Sequence, residues 1–402
     1  MTASRTPLPV VVVGAGQAGL SVAYYLRRFD LVPGVDFLVL DRGATAGGAW
    51  QYRWDALTLG SAHRVNDLPG LDALGLSFDH ADRTRPASEV VTEYYARYEE
   101  HYDLQVRRPV DVRAVRNAGA DLRIEYRDLA EPVVPPEPAP EPEPEPAPRG
   151  FFGRFGRRRA DDAEPEPGRE PELPSLTARI LVNATGTWGA PFRPHYPGAG
   201  SFAGRQVHTA DYVSAEEFRD QRVIVVGGGT SAIGFMLELE RVASHLTWVA
   251  RRPIDWLERA DLDVEGASAA VAMQDEAARA GRALPSIVSG TGVPMSRRFA
   301  AGIARGLLVA RPMFERIEPD GVRFADGTFE PADAIIWATG FRPDVRHLAP
   351  LRLRSADGGL IVANGESWTD PRVFLAGYGP QASTIGANRA GRMIARQIVG
   401  ML

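Results

Sequence analysis

Three glycines, Gly14, Gly16 and Gly19, stand in the order G-x-G-x-x-G within "VVVGAGQAG", with Gln17 and Ala18 between the last two. The first permits a tight turn. The second removes a side chain where a pyrophosphate must approach the backbone, and the third lets a helix pack closely on a strand. Asp41 closes the next apolar run, followed by Arg42, and an acid there can accept hydrogen bonds from a ribose diol. A second loop, "VVGGGTSAIG", gives G-x-G-x-x-A through Gly227, Gly229 and Ala232, with Thr230 and Ser231 between them. Alanine is acceptable at the last place because that position packs rather than binds. The next run, "HLTWVARR", ends in Arg251 and Arg252 where an acid would select NAD. A guanidinium there suits the 2′-phosphate of NADPH. Plain surface charge is the alternative.

Each loop needs a strand before it and a helix after it. Val10–Val13 is a continuous β-branched run, the helical pattern after it extends to about Arg28, and Phe37–Leu40 forms the next strand. "RVIVVGGGTSAIGFMLELE" and "HLTWVARR" repeat this plan. Short strands are expected around Val110–Val115, Leu122–Tyr126 and Ile180–Val182. Two further apolar runs, "ILVNATG" and "AIIWATG", end in Ala184-Thr185-Gly186 and Ala338-Thr339-Gly340. Residues 131–174 interrupt the pattern with Glu/Pro repeats around "RGFFGRFGRRR". Repeated proline sustains neither helix nor ladder, so this stretch is expected to be a disordered insertion. Its Arg–Phe kernel could bind an anionic surface; a self-neutralising linker is the simpler reading.

Composition removes whole classes of chemistry. The chain of 402 residues has no cysteine, and all 46 of its basic residues are arginine. Disulfide exchange, thiolate nucleophiles, most zinc sites and Schiff-base lysines are therefore excluded. A net charge of −5 argues against nucleic acid as a partner. No apolar run approaches the ~18–20 residues of a membrane span, and the start of the chain lacks a signal-peptide pattern. A soluble cytoplasmic protein is expected. None of the seven histidines has metal-ligand spacing.

After Asp41, "DRGATAGGAW" places Gly47, Gly48 and Trp50 in a pattern that resembles flavoproteins with two dinucleotide-binding domains. There the glycine pair borders the flavin end of FAD. The C-terminal "VFLAGYGPQASTIGANRAG" is similar to the segment whose glycine turn, here Gly377, and helix start, here near Ile385, face the flavin ring. The usual acid after that glycine is Tyr378 in this chain, which leaves the ribityl contact open. The resemblance also implies FAD contacts at Val112, Ala184, Thr185 and Gly186. The two ATG turns, with Thr339 and Gly340, become crossings between domains. It implies an α/β fold of two Rossmann-like domains with a β-meander. The FAD domain would be formed by 1–210 and 321–402, and the NADPH domain by 211–320 inserted between them.

Phe202-x-Gly204-x-x-x-His208-x-x-x-Tyr212 lies between the first ATG and the second glycine loop. It resembles the signature of class B flavin-dependent monooxygenases. That resemblance implies an NADPH-dependent enzyme that reduces FAD by hydride transfer and forms a C4a-(hydro)peroxyflavin with O2. It would then oxygenate a small molecule at nitrogen, sulfur or a carbonyl. Asn is frequent about ten residues after the tryptophan in flavin-containing monooxygenases, and Gly60 stands there. An NADPH oxidase or reductase without oxygen transfer is therefore a rival, and a nucleotide-binding sensor or scaffold is a third. His208 is the catalytic candidate. It could exchange protons with the flavin adduct, hold the linker between domains, or be an ordinary surface residue. Substrate identity and oligomeric state are not legible.

Overall fold

The computed structural model describes residues 6–62, 64–130, 173–257, 264–285, 292–382 and 384–402. The expected disordered insertion at 131–174 falls almost wholly outside the described residues.

Two parallel sheets organise the molecule. In the first, strand β1 (Leu8–Val13) pairs in parallel with β2 (Phe37–Leu40) on one side and β5 (Ser175–Asn183) on the other. β5 divides its other edge. Its first half pairs antiparallel with β4 (Asp121–Asp128), and its last residues pair in parallel with the strand Val373–Leu375. β3 (Val110–Ala118) joins β4 to complete the meander, with a bulge between Val112 and Ala114. Val10–Val12 are wholly buried, as expected for a strand covered on both faces. One face receives helices α1 (Gln17–Arg28) and α2 (Ala87–His101) and the C-terminal helix Thr384–Met401. Gly391 is needed where α1 meets that last helix: a Cβ on it would lie 2.2 Å from Ser21 Oγ.

The second sheet runs β6 (Arg205–His208), Ala334–Trp337, β7 (Arg222–Val226), β8 (His245–Val249), all parallel. Two of its four strands thus come from outside the 211–320 span expected for the nucleotide domain. The run "AIIW" is completely buried and finds both ladders only between β6 and β7. Helix α3 (Thr230–Leu239) covers one face with Ile233, Phe235 and Met236.

The two sheets share one local design. Gly14 N donates to Leu40 O at 2.7 Å and Ala184 N to Val13 O at 2.8 Å; Gly227 N donates to Val249 O at 2.9 Å and Ala338 N to Val226 O at 2.7 Å. Each ATG strand is the inner neighbour of a glycine-loop strand, and each first glycine lies against the alanine carbonyl of its ATG. No described helix is long and apolar enough to cross a membrane.

Candidate functional site

A cleft of about 1180 Å³, including the part open to solvent, lies at the C-terminal ends of β1, β2 and β5. That is where open parallel sheets bind nucleotides. Of the residues singled out from sequence, Gly14, Gly16, Gln17, Ala18, Asp41, Arg42, Gly47, Gly48, Trp50, Val112, Ala184, Thr185, Gly186 and Gly377 all line it. Gly19 does not, and its role is the packing one. A Cβ there would meet Gly14 O at 1.8 Å and Ala184 Cβ at 3.3 Å. Gly14 has φ +104, and a Cβ on it would lie 2.4 Å from Ala184 O. Ile385 belongs to the first turn of the C-terminal helix.

Helix α1 starts at Gly16 with no side-chain cap and no acid in its first turn, so its positive end and free N–H groups are open to an anion. Gln17 anchors that start. Its amide donates to Asn388 Oδ1 at 2.9 Å and Asn66 O at 3.2 Å, and its oxygen accepts from the buried Tyr95 hydroxyl at 2.5 Å. Asn388 in turn donates to Asp67 O at 2.6 Å. One partly buried network therefore ties the N-terminal turns of α1 and of the C-terminal helix together.

At the opposite end, Asp41 Oδ1 accepts from Ala15 N at 3.2 Å. Asp41 Oδ2 and Arg108 Nε are buried, 3.6 Å apart, and neither has a hydrogen bond. Arg108 is otherwise held by Glu99 at 2.6 and 3.0 Å. An orphan acceptor beside an orphan donor is what a ribose diol can satisfy, since each hydroxyl both gives and takes. The residues present fit FAD at this end. Arg42 lies 3.8 Å from Asp344, a cleft residue that no motif marks. Burial, reinforced by Asp41, pushes the Tyr52 hydroxyl above its ordinary value. Trp188 was equally unselected and stacks between Tyr52 at 6.4 Å and Phe341 at 4.7 Å.

Two positions that stood out as departures have structural explanations. The Tyr378 ring turns into the core, and its hydroxyl accepts from Leu360 N at 3.1 Å, so it does not replace an acid in the cleft. Gly60 does not line the cleft; its N–H bonds Arg83 O at 2.8 Å, and a Cβ would lie 2.8 Å from that same oxygen. An asparagine side chain has no room to grow from this backbone.

In the second sheet, Gly227 has φ +143, and a Cβ would lie 2.2 Å from Ala338 O. Its carbonyl accepts from Trp248 Nε1 at 2.7 Å. Gly229 has nothing within 4 Å of where a side chain would stand, leaving the uncapped start of α3 open. Thr230 and Ser231 form its first turn, and Ala232 is fully buried. Arg251 and Arg252 follow β8, are exposed, and make no ion pair among the described residues.

The two ATG crossings are bonded to each other. Phe192 N donates to Gly340 O at 2.9 Å, Arg342 N to Ala190 O at 2.8 Å, and the Thr339 hydroxyl to Phe192 O. The Thr185 hydroxyl donates to Asp344 O at 2.6 Å. His208 joins this lacing from the end of β6. Ala210 N–H donates to Nδ1 at 3.1 Å, and Nε2 lies 3.0 Å from Gly340 O. A backbone N–H can only donate and a carbonyl can only accept, so the ring is the neutral Nε2–H tautomer with both nitrogens committed. It is 2% exposed, packs edge-on against Phe341 at 5.0 Å, and burial pushes its pKa down. It does not line the cleft.

The other signature positions are also packed. Phe202 enters a core with Trp337, and a Cβ on Gly204 would lie 2.3 Å from Asp333 O. Tyr212 packs on Phe235 at 4.3 Å and donates to Glu238 Oε2 at 3.2 Å. Trp54, from the segment after the glycine pair, donates to Glu238 Oε1 at 2.9 Å. Burial raises the pKa of Glu238, opposed by these two donors. The carboxylate thus clamps a cleft segment, the linker and α3 together, through partners far apart in sequence.

Comparison with known proteins agrees with this geometry. Residues 12–66 match a model of the NAD(P)-binding Rossmann-like domain, and residues 172–265 match one of pyridine nucleotide-disulphide oxidoreductases. The second match reflects the nucleotide fold, because a chain without cysteine has no thiol for disulfide exchange. A mutant flavin monooxygenase from Stenotrophomonas maltophilia is 31% identical, with 99% of each chain covered and a TM-score of 0.72. The chain belongs to the flavin monooxygenase family. It is an FAD- and NADPH-dependent monooxygenase. An indole-3-pyruvate monooxygenase from Oryza sativa subsp. japonica is 28% identical over 83% of this monooxygenase and 77% of its own length. A senecionine N-oxygenase from Tyria jacobaeae is 21% identical, covering 83% and 58%.

Proposed function

We propose that FAD lies in the cleft with its pyrophosphate at the start of α1 and its adenosine ribose between Asp41 and Arg108. Its ring lies toward Gly47, Gly48, Trp50 and the start of the C-terminal helix. NADPH lies over Gly227–Ala232, with its 2′-phosphate at Arg251 and Arg252. The substrate is a small molecule oxygenated at nitrogen, sulfur or a carbonyl carbon, with O2 as co-substrate. A cytoplasmic setting belongs to the same reading, since NADPH is the reductant maintained there. Bound FAD supplies the redox chemistry, taking hydride from NADPH and activating O2. The chain supplies the rest: backbone N–H groups and the positive helix end favour negative charge at the ring, and the aromatic wall of Trp50 and Trp188 excludes water.

The observation that carries this reading is the direct bonding between the two ATG crossings. It joins the binding ends of two parallel sheets, so a nucleotide on one is presented to a ring held by the other. His208 acts in this reading as a positioning residue for that junction. Domain limits of 1–210 with 321–402, and 211–320, are kept as the chain's division, with β6 and Ala334–Trp337 exchanged into the second sheet.

The test is turnover of candidate amines, sulfides and ketones under isotopically labelled O2. One labelled oxygen in the product for each NADPH consumed is expected. Peroxide equal to NADPH consumption with every candidate would instead establish the oxidase. Arg251→Ala with Arg252→Ala should reduce the preference for NADPH over NADH by about 10- to 100-fold, from the loss of charge-assisted bonds worth roughly 1.5–3 kcal/mol. An unchanged preference would place the 2′-phosphate elsewhere.

A further inference from the structure

The segment Gly47–Tyr52 forms part of the cleft wall, with one 3-10 turn over Gly48–Tyr52. The chain then leaves that wall and returns at Leu57, whose carbonyl accepts from Ala87 N, at the start of α2, at 2.9 Å. Trp54 stands at the far point of this excursion and does not line the cleft. Its side chain is not in the first sheet's core either. It is 6% exposed and packs in the core of the second sheet, with Tyr212, Phe218, Phe235 and Met236. Among the described residues, every other buried member of that cluster lies between Val207 and Ala338. One indole carried by the cleft wall is thus plugged into the neighbouring unit.

The contact fixes the indole's orientation as well as its place. The ring lies 5.0 Å from that of Phe235 and meets Tyr212 edge-on at 5.6 Å. Its one polar atom donates to Glu238 Oε1 at 2.9 Å, and the other oxygen of that carboxylate takes the Tyr212 hydroxyl at 3.2 Å. Hydrogen bonds to an ionised acceptor are the strong ones. Phe235 and Glu238 are three apart on α3 and so share a face. The open start of that same helix is the proposed seat of the NADPH pyrophosphate. At 1.5 Å of rise per residue, Glu238 lies about 12 Å along the helix from Thr230.

The two ATG crossings are bonded to each other, so by themselves they make one junction, and one junction permits rotation about it. A second contact, made by different residues, opposes that rotation. Swinging α3 away from the cleft wall would break both bonds to one carboxylate and draw an indole out of a core. We infer that Trp54 and Glu238 are a positioning pair for hydride transfer, fixing the angle at which α3 presents its nucleotide to the cleft. This rests on the placement of NADPH at Gly227–Ala232.

The test uses the FAD-loaded protein with Trp54→Phe, which keeps an aromatic ring and loses the N–H, and with Glu238→Met and Glu238→Gln. Glutamine can still accept from the indole and donate to the tyrosine oxygen. Stopped-flow reduction at saturating NADPH should slow about 10- to 100-fold in the Phe and Met variants, the cost of a misplacement near 1 Å, with NADPH affinity changed less than about 3-fold. Glu238→Gln should recover most of the rate. Trp54→Phe combined with Glu238→Met should be slower than either alone by less than about 3-fold, because both remove one shared contact. FAD content and reduction by dithionite should not change, which separates misplacement from damage to the flavin site. Without NADPH, amide hydrogen exchange should quicken across residues 205–218 and 230–239 in the Phe and Met variants. Should Trp54→Phe fail to hold FAD, Glu238→Met against Glu238→Gln reads the same contact. The inference is overturned if the folded Phe and Met variants are reduced at the unaltered rate, if only NADPH affinity changes, or if glutamine is as slow as methionine. An unchanged cofactor preference in Arg251→Ala with Arg252→Ala, beside slow reduction in Trp54→Phe, would remove the nucleotide placement and leave the pair standing. The opposite pattern would keep the placement and overturn the pair.

Discussion

Replacing His208 separates proton transfer from positioning, because the two roles respond oppositely to a neutral side chain with the same bonding capacity. In His208→Ala, Ala210 N–H loses its partner, Gly340 O keeps only its bond from Phe192 N–H, and the ring's contact with Phe341 is lost. A partly buried group left unpaired costs about 1–3 kcal/mol, so the variant should unfold about 1–3 kcal/mol more easily. Glutamine carries one acceptor and one donor and can serve both partners. His208→Gln should recover stability to within about 1 kcal/mol. Hydride transfer should follow the same order: near normal in Gln, slowed in Ala, with more peroxide released per NADPH in Ala as the junction loosens. The sign of the pH effect is fixed by the depressed pKa. The folded form resists protonation, so His208 contributes fully above its unfolded value near 6.5 and loses that contribution as pH falls through the folded value. Urea unfolding at pH 5.5 and 7.5, with stopped-flow flavin reduction on the same samples, reads both. The reasoning fails if Gln and Ala are equally slow and both abolish an ionisation that the unaltered enzyme shows in its rate profile.

Gly227→Ala puts a Cβ 2.2 Å from Ala338 O at φ +143. Strain and overpacking together should cost about 2–6 kcal/mol and abolish reduction by NADPH. FAD content should stay intact, because the first sheet is untouched; flavin absorbance against protein concentration checks this. His347 is buried with Nε2 unpartnered, and burial lowers its pKa from 6.5 to about 4. Its contribution is present above pH 6.5 and is lost as pH falls through about 4, a total of about 3 kcal/mol. His347→Leu should flatten that part of the acid limb of the stability profile, and identical limbs in the two proteins would refute the assignment.

What could be read from sequence was what the backbone demands. Gly14, Gly19 and Gly227 are required by carbonyls and a helix that come too close for a Cβ, and that requirement leaves a spacing any reader can find. Asp41 is legible because one helix and one strand after the loop fix its place. Contacts made at long range were not. Glu238 looks like one more acid on an amphipathic helix; nothing near it in sequence announces that Trp54 and Tyr212 meet its two oxygens. Arg53 is one arginine among many, and only the folded chain shows that its neighbours are indoles. The strand Ala334–Trp337 was recognised, but its sheet was not. A fully apolar run carries no mark of which parallel neighbours it will take.

The repeated ATG design explains why the residue at the end of β6 has to be this kind of side chain. In both sheets the alanine of the ATG closes onto the glycine loop, and the chain then leaves the sheet through a glycine at positive φ, Gly186 at +63 and Gly340 at +78. In the second sheet β6 stops beside that exit, and its next turn has an N–H, at Ala210, that donates to His208 Nδ1. The group at 208 accepts from that N–H and at once donates to Gly340 O, which Phe192 N–H also reaches. Serine and threonine are too short to span both, and a carboxylate cannot donate. A charged imidazole cannot accept. Neutral histidine does both with a rigid ring, which fixes the separation between linker and crossing more tightly than a flexible amide. The lowered pKa of His208 fits that geometry: protonation would break the bond from Ala210 N–H and loosen the join between linker and crossing.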